Sequence, residues 1–268
     1  MSQDRSTGSD RAPFDRLLPA IVCYHKVDRR RELGVTGLSP ARFTKQIERL
    51  ASDGWRTLSL DEVDRCIRGH RPIGPRDLVI TFDDAYRSLR DHAFPALADV
   101  GYTAICAVIT DYAGRLNRWD VAYGGRRFAH LAWRDMRHWQ SRGVEFISHT
   151  ATHPRLTWLA EPQAAGELVR SRQAIEASLD VAPRAIAYPF GAASQRERRL
   201  ASAAGYSLGF TIATTWRGDP LAVPRLPVYI WSREVPVAGP AERLVAAAAN
   251  RCAVGTSIFR RFTQSSGI

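Results

Sequence analysis

The chain has 268 residues, 45% of them hydrophobic, and a formal net charge of +11 carried almost wholly by arginine, since Lys26 and Lys45 are its lysines. That length suits one large α/β domain with a sizeable core. The basic residues are scattered, with no run of five and no aromatic RNA-binding signature, so no nucleic-acid partner is expected; Cys23, Cys66, Cys106 and Cys252 form no C-x-x-C metal or redox pattern.

Residues 1–17 are polar and aperiodic and read as a flexible tail. Ala20 to Tyr24 is a compact apolar strand that ends in His25. After a loop rich in Arg and Gly, Ser39 as cap, Pro40 at the first helical position and Phe43, Ile47 and Leu50 at helical spacing predict a helix that Gly54 stops. Arg56 to Leu58 leads into a second helix over Leu60 to Ile67, with Asp61 in its first turn. Leu78 to Phe82 is an apolar strand followed at once by Asp83 and Asp84. A helix around Ala93 to Val100 and a strand from Ala104 to Ile109 follow, then a helix over Trp133 to Ser141, a turn at Gly143 and a strand over Val144 to Ser148. A helix from about Gln163 to Leu179, a strand over Ala185 to Tyr188, a helix over Gln195 to Ala204 ended by Gly205, and a strand over Leu208 to Thr211 complete the series. Strands and helices alternating in this way, with strands apolar throughout, indicate a parallel sheet covered by helices. The expected organisation is a domain over 18–240 with a C-terminal helix and tail over 241–268. The start of the chain lacks the apolar stretch of a secretory signal, and no segment approaches the ~18 apolar residues of a membrane span. A cytoplasmic location is the first expectation, with membrane association or export left open.

In such sheets function collects at the C-terminal strand ends. Polar residues follow the apolar runs at His25, at Asp83 and Asp84, at His149, and around Tyr188, Pro189 and Phe190. Adjacent carboxylates repel, and holding both ionised at a buried strand end requires a cation or hydrogen bonds; the alternative is a solvent-facing acidic turn. His149 and His153, four apart, share one face if their segment forms a helical turn, a spacing suited to a transition metal. Asp84 would complete a two-histidine, one-carboxylate set with coordination positions left for water and substrate, as in a catalytic site.

Taken in order, Thr81-Phe82-Asp83-Asp84, His149-Thr150-Ala151-Thr152-His153 and Tyr188-Pro189-Phe190-Gly191 resemble the first three motifs of the polysaccharide deacetylase family, also called the NodB-homology or carbohydrate esterase 4 family. The resemblance spans about residues 20 to 230 and implies a distorted (β/α) barrel of about seven strands. It implies Asp83 as general base, Asp84, His149 and His153 as ligands of a divalent metal, zinc first among them, and Thr150 as a support of the histidine loop. It further implies an N-acetylated glycan or amino-sugar substrate whose oxyanion sits between the metal and a backbone N–H near Tyr188. Two departures stand out. The arginine that usually precedes the third motif is replaced by Ala187 and Tyr188, and Arg225, within Pro224-Arg225-Leu226-Pro227, is the candidate to take its place. The late histidine that usually supplies the general acid is missing, since no histidine follows His153. Tyr24-His25-Lys26-Val27 resembles instead the N-terminal motif of a subgroup that includes biofilm exopolysaccharide N-deacetylases, which makes His25 the candidate acid.

His70, His92, His130 and His138 read as solvated, and Trp119, Tyr123, Trp133, Trp158 and Trp216 as sugar platforms or packing residues. Two other readings stay open. One keeps the metal site but acts as a deformylase or amidase on another N-acyl compound. The other is a catalytically silent glycan-binding or membrane-surface protein, for which Ser257, Ile258, Phe259, Arg260, Arg261 and Phe262 offer a peripheral membrane contact.

Overall fold

Alternating strands and helices build residues 18–30, 35–118, 127–213, 215–232 and 234–237, those that the computed structural model describes. The tail over 1–17, the C-terminal helix and tail over 241–268 with its Ser257 to Phe262 stretch, and the rings of Trp119 and Tyr123 lie outside the described residues. Strand β1 (Ala20–Tyr24) is followed by β2 (Lys26–Val27) and β3 (Gly37–Leu38), which pair with each other. Helix α1 (Pro40–Ser52) starts at its cap: Ser39 Oγ accepts from the Arg42 N–H, and Pro40 fills a position whose N–H has no helical partner. Strand β4 (Arg56–Thr57) leads to α2 (Leu60–Ile67), whose entry is fixed by a reciprocal Ser59–Glu62 capping box. Strand β5 (Asp77–Phe82) is buried along its whole length.

A π-helical turn over Leu89–Ala93 precedes α3 (Phe94–Asp99), so the helix expected from Ala93 begins a turn earlier. Pro95 has no N–H to offer the carbonyl four residues back, and the turn before it widens. Strand β6 (Ala104–Val108), α4 (Trp133–Gln140), β7 (Val144–Ser148), α5 (Glu161–Leu179), β8 (Ala185–Ala187), α6 (Gln195–Ala203), β9 (Leu208–Thr211), β10 (Val223–Pro224) and β11 (Leu226–Pro227) follow.

The main sheet is parallel and runs β10-β9-β8-β7-β6-β5-β1-β11, with β4 paired to the start of β5. Its two edges are halves of one stretch. Val223 and Pro224 pair with Phe210 and Thr211 of β9, while Leu226 and Pro227 pair with Val22 and Cys23 of β1. The sheet therefore closes on itself as a barrel, with eight strands in place of the seven expected. The extra strand arises from the break at Arg225. Pro224 and Pro227 have no N–H for a ladder, and pairing passes there from one neighbour to the other.

Alternate residues of each strand face the barrel axis. Ile21, Val79, Ile105, Ala107, Ile147, Ala185, Ala187, Leu208, Phe210 and Val223 form one buried cluster, which Leu58, Leu60, Val63 and Cys66 extend from β4 and α2. The opposite parity, including Val22, Tyr24, Ile80, Phe82, Cys106 and Phe146, packs in a second cluster with residues of α1, α3 and α4. Continuing the inward series toward the C-terminal ends gives Cys23 and His25 on the β1 segment, Thr81 and Asp83 after β5, His149 after β7, and Arg225 at the seam. Polar groups thus take over where the apolar filling ends. No helix of the described residues is long and apolar enough to cross a membrane.

Candidate active site

Asp83 and Arg225 form the most buried charge pair of this mouth, 3% and 1% exposed respectively. Arg225 Nη1 donates to Asp83 Oδ1 at 2.7 Å and Nη2 to Oδ2 at 2.8 Å, a two-pronged contact suited to the planar guanidinium. Nη1 also donates to Thr81 Oγ1 at 3.1 Å, and the Cys23 thiol donates to Asp83 Oδ2 at 3.3 Å. Burial alone would raise the Asp83 pKa. The charge and the hydrogen bonds of Arg225 act together against it and hold the carboxyl below the usual carboxylate range. Oδ1 accepts one bond from Arg225, and a carboxylate oxygen has room for a second, so a proton can be received there without breaking the pair. The arginine absent from the third motif thus has a spatial counterpart on the barrel seam.

Asp84, His149 and His153 are all buried and bring their ligand atoms within 4.8 Å of one another. Both Nε2 atoms lie 3.5 Å from Asp84 Oδ1, and that buried oxygen has no hydrogen-bond partner. Around a tetrahedral zinc with ligand bonds of about 2.0–2.2 Å, neighbouring ligand atoms stand about 3.3–3.6 Å apart. The spacing and the donor set therefore fit such an ion. His149 Nδ1 lies 2.7 Å from the Ala187 carbonyl, so Nδ1 carries the proton and the neutral ring presents its Nε2 lone pair to the cluster.

The histidine segment does not form the helical turn assumed for its four-residue spacing. It is a loop in which Thr150 (φ 67°) and His153 (φ 66°) adopt left-handed backbone, and Asp84 (φ 68°), Ala85 (φ 49°) and Phe190 (φ 60°) do the same nearby. Such conformations cost on the order of 1–3 kcal/mol each and persist where surrounding bonds fix them. Here the bonds are visible. Thr150 Oγ1 accepts from the His153 N–H at 3.0 Å, and Ser148 Oγ accepts from the Thr150 N–H at 3.1 Å. Glu167 of α5 accepts from the N–H groups of Ala151 (3.0 Å) and Thr152 (2.8 Å) and from the Thr152 hydroxyl. Glu167→Ala is expected to weaken cation affinity about 10–100-fold, the usual range for a support of metal ligands. A competition titration measures it, and unchanged affinity would show that Thr150 and Ser148 suffice.

His130 is not solvated as expected from its loop setting. It is 2% exposed, its Nδ1 lies 2.5 Å from the Asp84 carbonyl, and burial pushes its pKa down. It holds the Asp84 backbone from the far side, and Tyr86 stacks on its ring at 5.1 Å. A lone histidine in an aperiodic loop carries no sequence signal for this. His25 is half-buried, groups with Cys23 and Asp83 within 4.8 Å, and has no hydrogen-bond partner on its buried Nδ1.

Tyr188 is placed differently from its motif neighbours. Its side chain packs outward with Leu168, Ala201 and Tyr206, and its N–H donates to the Phe210 carbonyl at 3.0 Å, so that amide is not available to an oxyanion. The alternation of β8 explains this: Ala187 turns its carbonyl to His149 and the next residue faces away. Pro189 is buried, and Phe190 meets the His153 ring edge-on at 4.9 Å. A Cβ on Gly191 would stand 2.4 Å from the Ile212 nitrogen, so only glycine fits this turn. Of the candidate platforms, Trp158 is 47% exposed and Arg155, which lies over its ring, also lies over Phe190. Trp133 packs against the core and Trp216 donates to the Asp219 carbonyl.

Comparisons with known proteins bear on the fold and the family. The Bacillus subtilis (strain 168) protein YxkH is 24% identical over 191 residues, covering 71% of this chain and 63% of that protein. The poly-beta-1,6-N-acetyl-D-glucosamine N-deacetylase of Escherichia coli (strain K12) is 22% identical over 242 residues, covering 78% and 36%. The chain thus spans less than two thirds of the length of either relative. Among solved structures, Streptococcus pyogenes deacetylase PplD in complex with acetate superposes with a TM-score of 0.69 at 23% identity, covering 79% of this chain and 92% of that one. IcaB from Ammonifex degensii gives 0.66 at 22%, covering 86% and 96%. Both share the barrel. The polysaccharide deacetylase family model matches residues 70–209, just over half of the 268 residues and the stretch that carries Asp83, Asp84, His149 and His153; the chain belongs to the polysaccharide deacetylase family.

Proposed function

We propose that the chain is a metal-dependent hydrolase that removes N-acetyl groups from an amino-sugar polysaccharide, oligosaccharide or lipid-linked sugar. The observation that carries this reading is the meeting, at one barrel mouth, of an arginine-held carboxylate with a two-histidine, one-carboxylate set. Asp84, His149 and His153 would hold a divalent cation, with zinc the first choice, which when bound would supply Lewis-acid polarisation of the amide carbonyl. Asp83 takes the proton of the attacking water on Oδ1, while Arg225 fixes the carboxylate plane. His25, in the same cluster as Asp83, gives a proton to the departing nitrogen, since an amine anion is too basic to leave unprotonated. A glycan substrate is supported by family membership and by the name of the Escherichia coli relative. Trp158, half in solvent beside Arg155 and Phe190, is the ring on which a neighbouring sugar packs.

The test is acetate release from N-acetylated glucosamine oligosaccharides, run beside formylated and small-amide substrates. Turnover is expected to be highest on the oligosaccharides, to vanish on chelation and to return with zinc. His149→Ala is expected to lose cation and activity together. Chelator-resistant activity would overturn the metal assignment, and faster turnover of formylated or small amides would make the chain a deformylase or amidase.

A further inference from the structure

A cavity of about 270 Å³ is lined by Arg29, Arg30, Arg87, Ser88, His92 and Phe128 together with two carboxylates. Those carboxylates are matched: Asp28 binds Arg30 at 2.9 Å, and Asp91 binds Arg90 at 2.8 Å. Arg29 and Arg87 are exposed and have no ion pair among the described residues. Two unanswered guanidinium groups therefore share one small concavity. Phe128 packs against two cations that have partners of their own, Lys26 Nζ at 3.3 Å and Arg30 at 4.7 Å from its ring centroid. Ser88 Oγ lacks a hydrogen-bond partner. With the two carboxylates already engaged, Arg29 and Arg87 leave the concavity an excess of positive charge that an anion would offset, and focusing by the walls raises the local anion concentration.

The cavity is tied to the chemistry by sequence and by contact. Arg87 follows Asp84 by three residues and Arg29 follows His25 by four, so their Cα atoms stand within roughly 11 and 15 Å of those residues, at 3.8 Å per step. Phe128 meets Tyr86 edge-on at 6.2 Å, Tyr86 stacks on His130, and His130 holds the Asp84 carbonyl. This is the reach of a neighbouring substituent or sugar. The volume lies at the lower end of small-ligand sites, which suits a compact charged group better than a stretch of glycan. Paired guanidinium groups match the several oxygens of a phosphoryl group, and each can make two bonds to it.

We propose that this cavity binds a phosphoryl group, and that the substrate carries that group on or next to the sugar bearing the amide; the second half rests on the deacetylase reading, the first does not. The test is a calorimetric titration of the full chain with inorganic phosphate, repeated for an Arg29→Gln/Arg87→Gln double variant and for Asp84→Asn. Neither arginine is ion-paired among the described residues, so the double variant is expected to fold, which its melting temperature checks. Saturable binding is expected to weaken at least tenfold in the double variant, to stay unchanged in Asp84→Asn, and to resist displacement by acetate. The phosphoryl site is overturned by absent saturable binding, by equal affinity in the double variant, by loss confined to Asp84→Asn, or by equal competition from acetate. N-acetylglucosamine 1-phosphate is expected to bind at least tenfold tighter than inorganic phosphate; equal affinity would sink the assignment to the substrate. No arm depends on turnover, so a failed deacetylase assay and a failed phosphoryl site are told apart.

Discussion

Replacing Asp83 with Asn is expected to lower kcat for acetate release by about 10²–10⁴-fold, the share a positioned proton acceptor contributes. An amide keeps the shape and one acceptor oxygen for Arg225, but it cannot take a proton at neutral pH. The same change leaves the fully buried Arg225 without its counter-charge, so stability falls too. Steady-state assays on protein shown to be folded separate the two effects. If Asp83→Asn keeps activity within a few-fold of the parent chain, the water proton goes elsewhere and the base assignment fails.

The second large effect is expected at Arg225. Breaking a buried ion pair by removing one partner costs about 3–5 kcal/mol. For a domain of this size that corresponds to about 6–20 °C in Tm, and Arg225→Met is expected to show it. Because Arg225 holds the Asp83 carboxyl far below its usual range, its loss lets burial raise that pKa. The acidic limb of kcat/KM is then expected to move to higher pH, a shift that an arginine serving packing alone would not produce. The intact pair also predicts a pH profile of stability. The folded pKa of Asp83 lies below its unfolded value of about 3.9, so the pair's contribution is fully present above that value and is lost as pH falls toward the folded one. Combining Asp83→Asn with Arg225→Met is expected to cost less than the two changes summed, which a double-mutant cycle measures.

Most parts of this site that are legible in the sequence follow directly on a short apolar run, while His153 is legible from its four-residue spacing after His149. His25, Asp83, Asp84 and His149 stand there; alternation carries His25, Asp83 and His149 to the mouth, and Asp84, of the opposite parity, reaches it through its left-handed backbone (φ 68°). Arg225 was readable only as a candidate, because 223–227 contains two prolines and is too short to show a period. His130 and Glu167 were not readable at all. His130 reaches Asp84 from an aperiodic loop, and Glu167 sits in α5 among polar residues that resemble a solvated face. Both act through contacts made far along the chain, and no local pattern records those. Cys23 belongs to no C-x-x-C pattern, and its thiol bond to Asp83 appears only once β1 lies against β5. Tyr188 shows the opposite case, where the motif is legible but a single step of alternation sends its ring away from the cleft.

The seam of the barrel has a consequence for biogenesis. Residues 223–227 are the last of the described strand segments in chain order, and they bring the cation that pairs with Asp83. During synthesis from the N-terminus, every other named member of the cluster is present before this clasp emerges, yet the proton acceptor stays unrestrained until it does. A nascent or clipped chain that stops short of Arg225 therefore lacks the clasp on Asp83, and if Asp83 serves as the proposed base, acetate release is expected to report on circular completion.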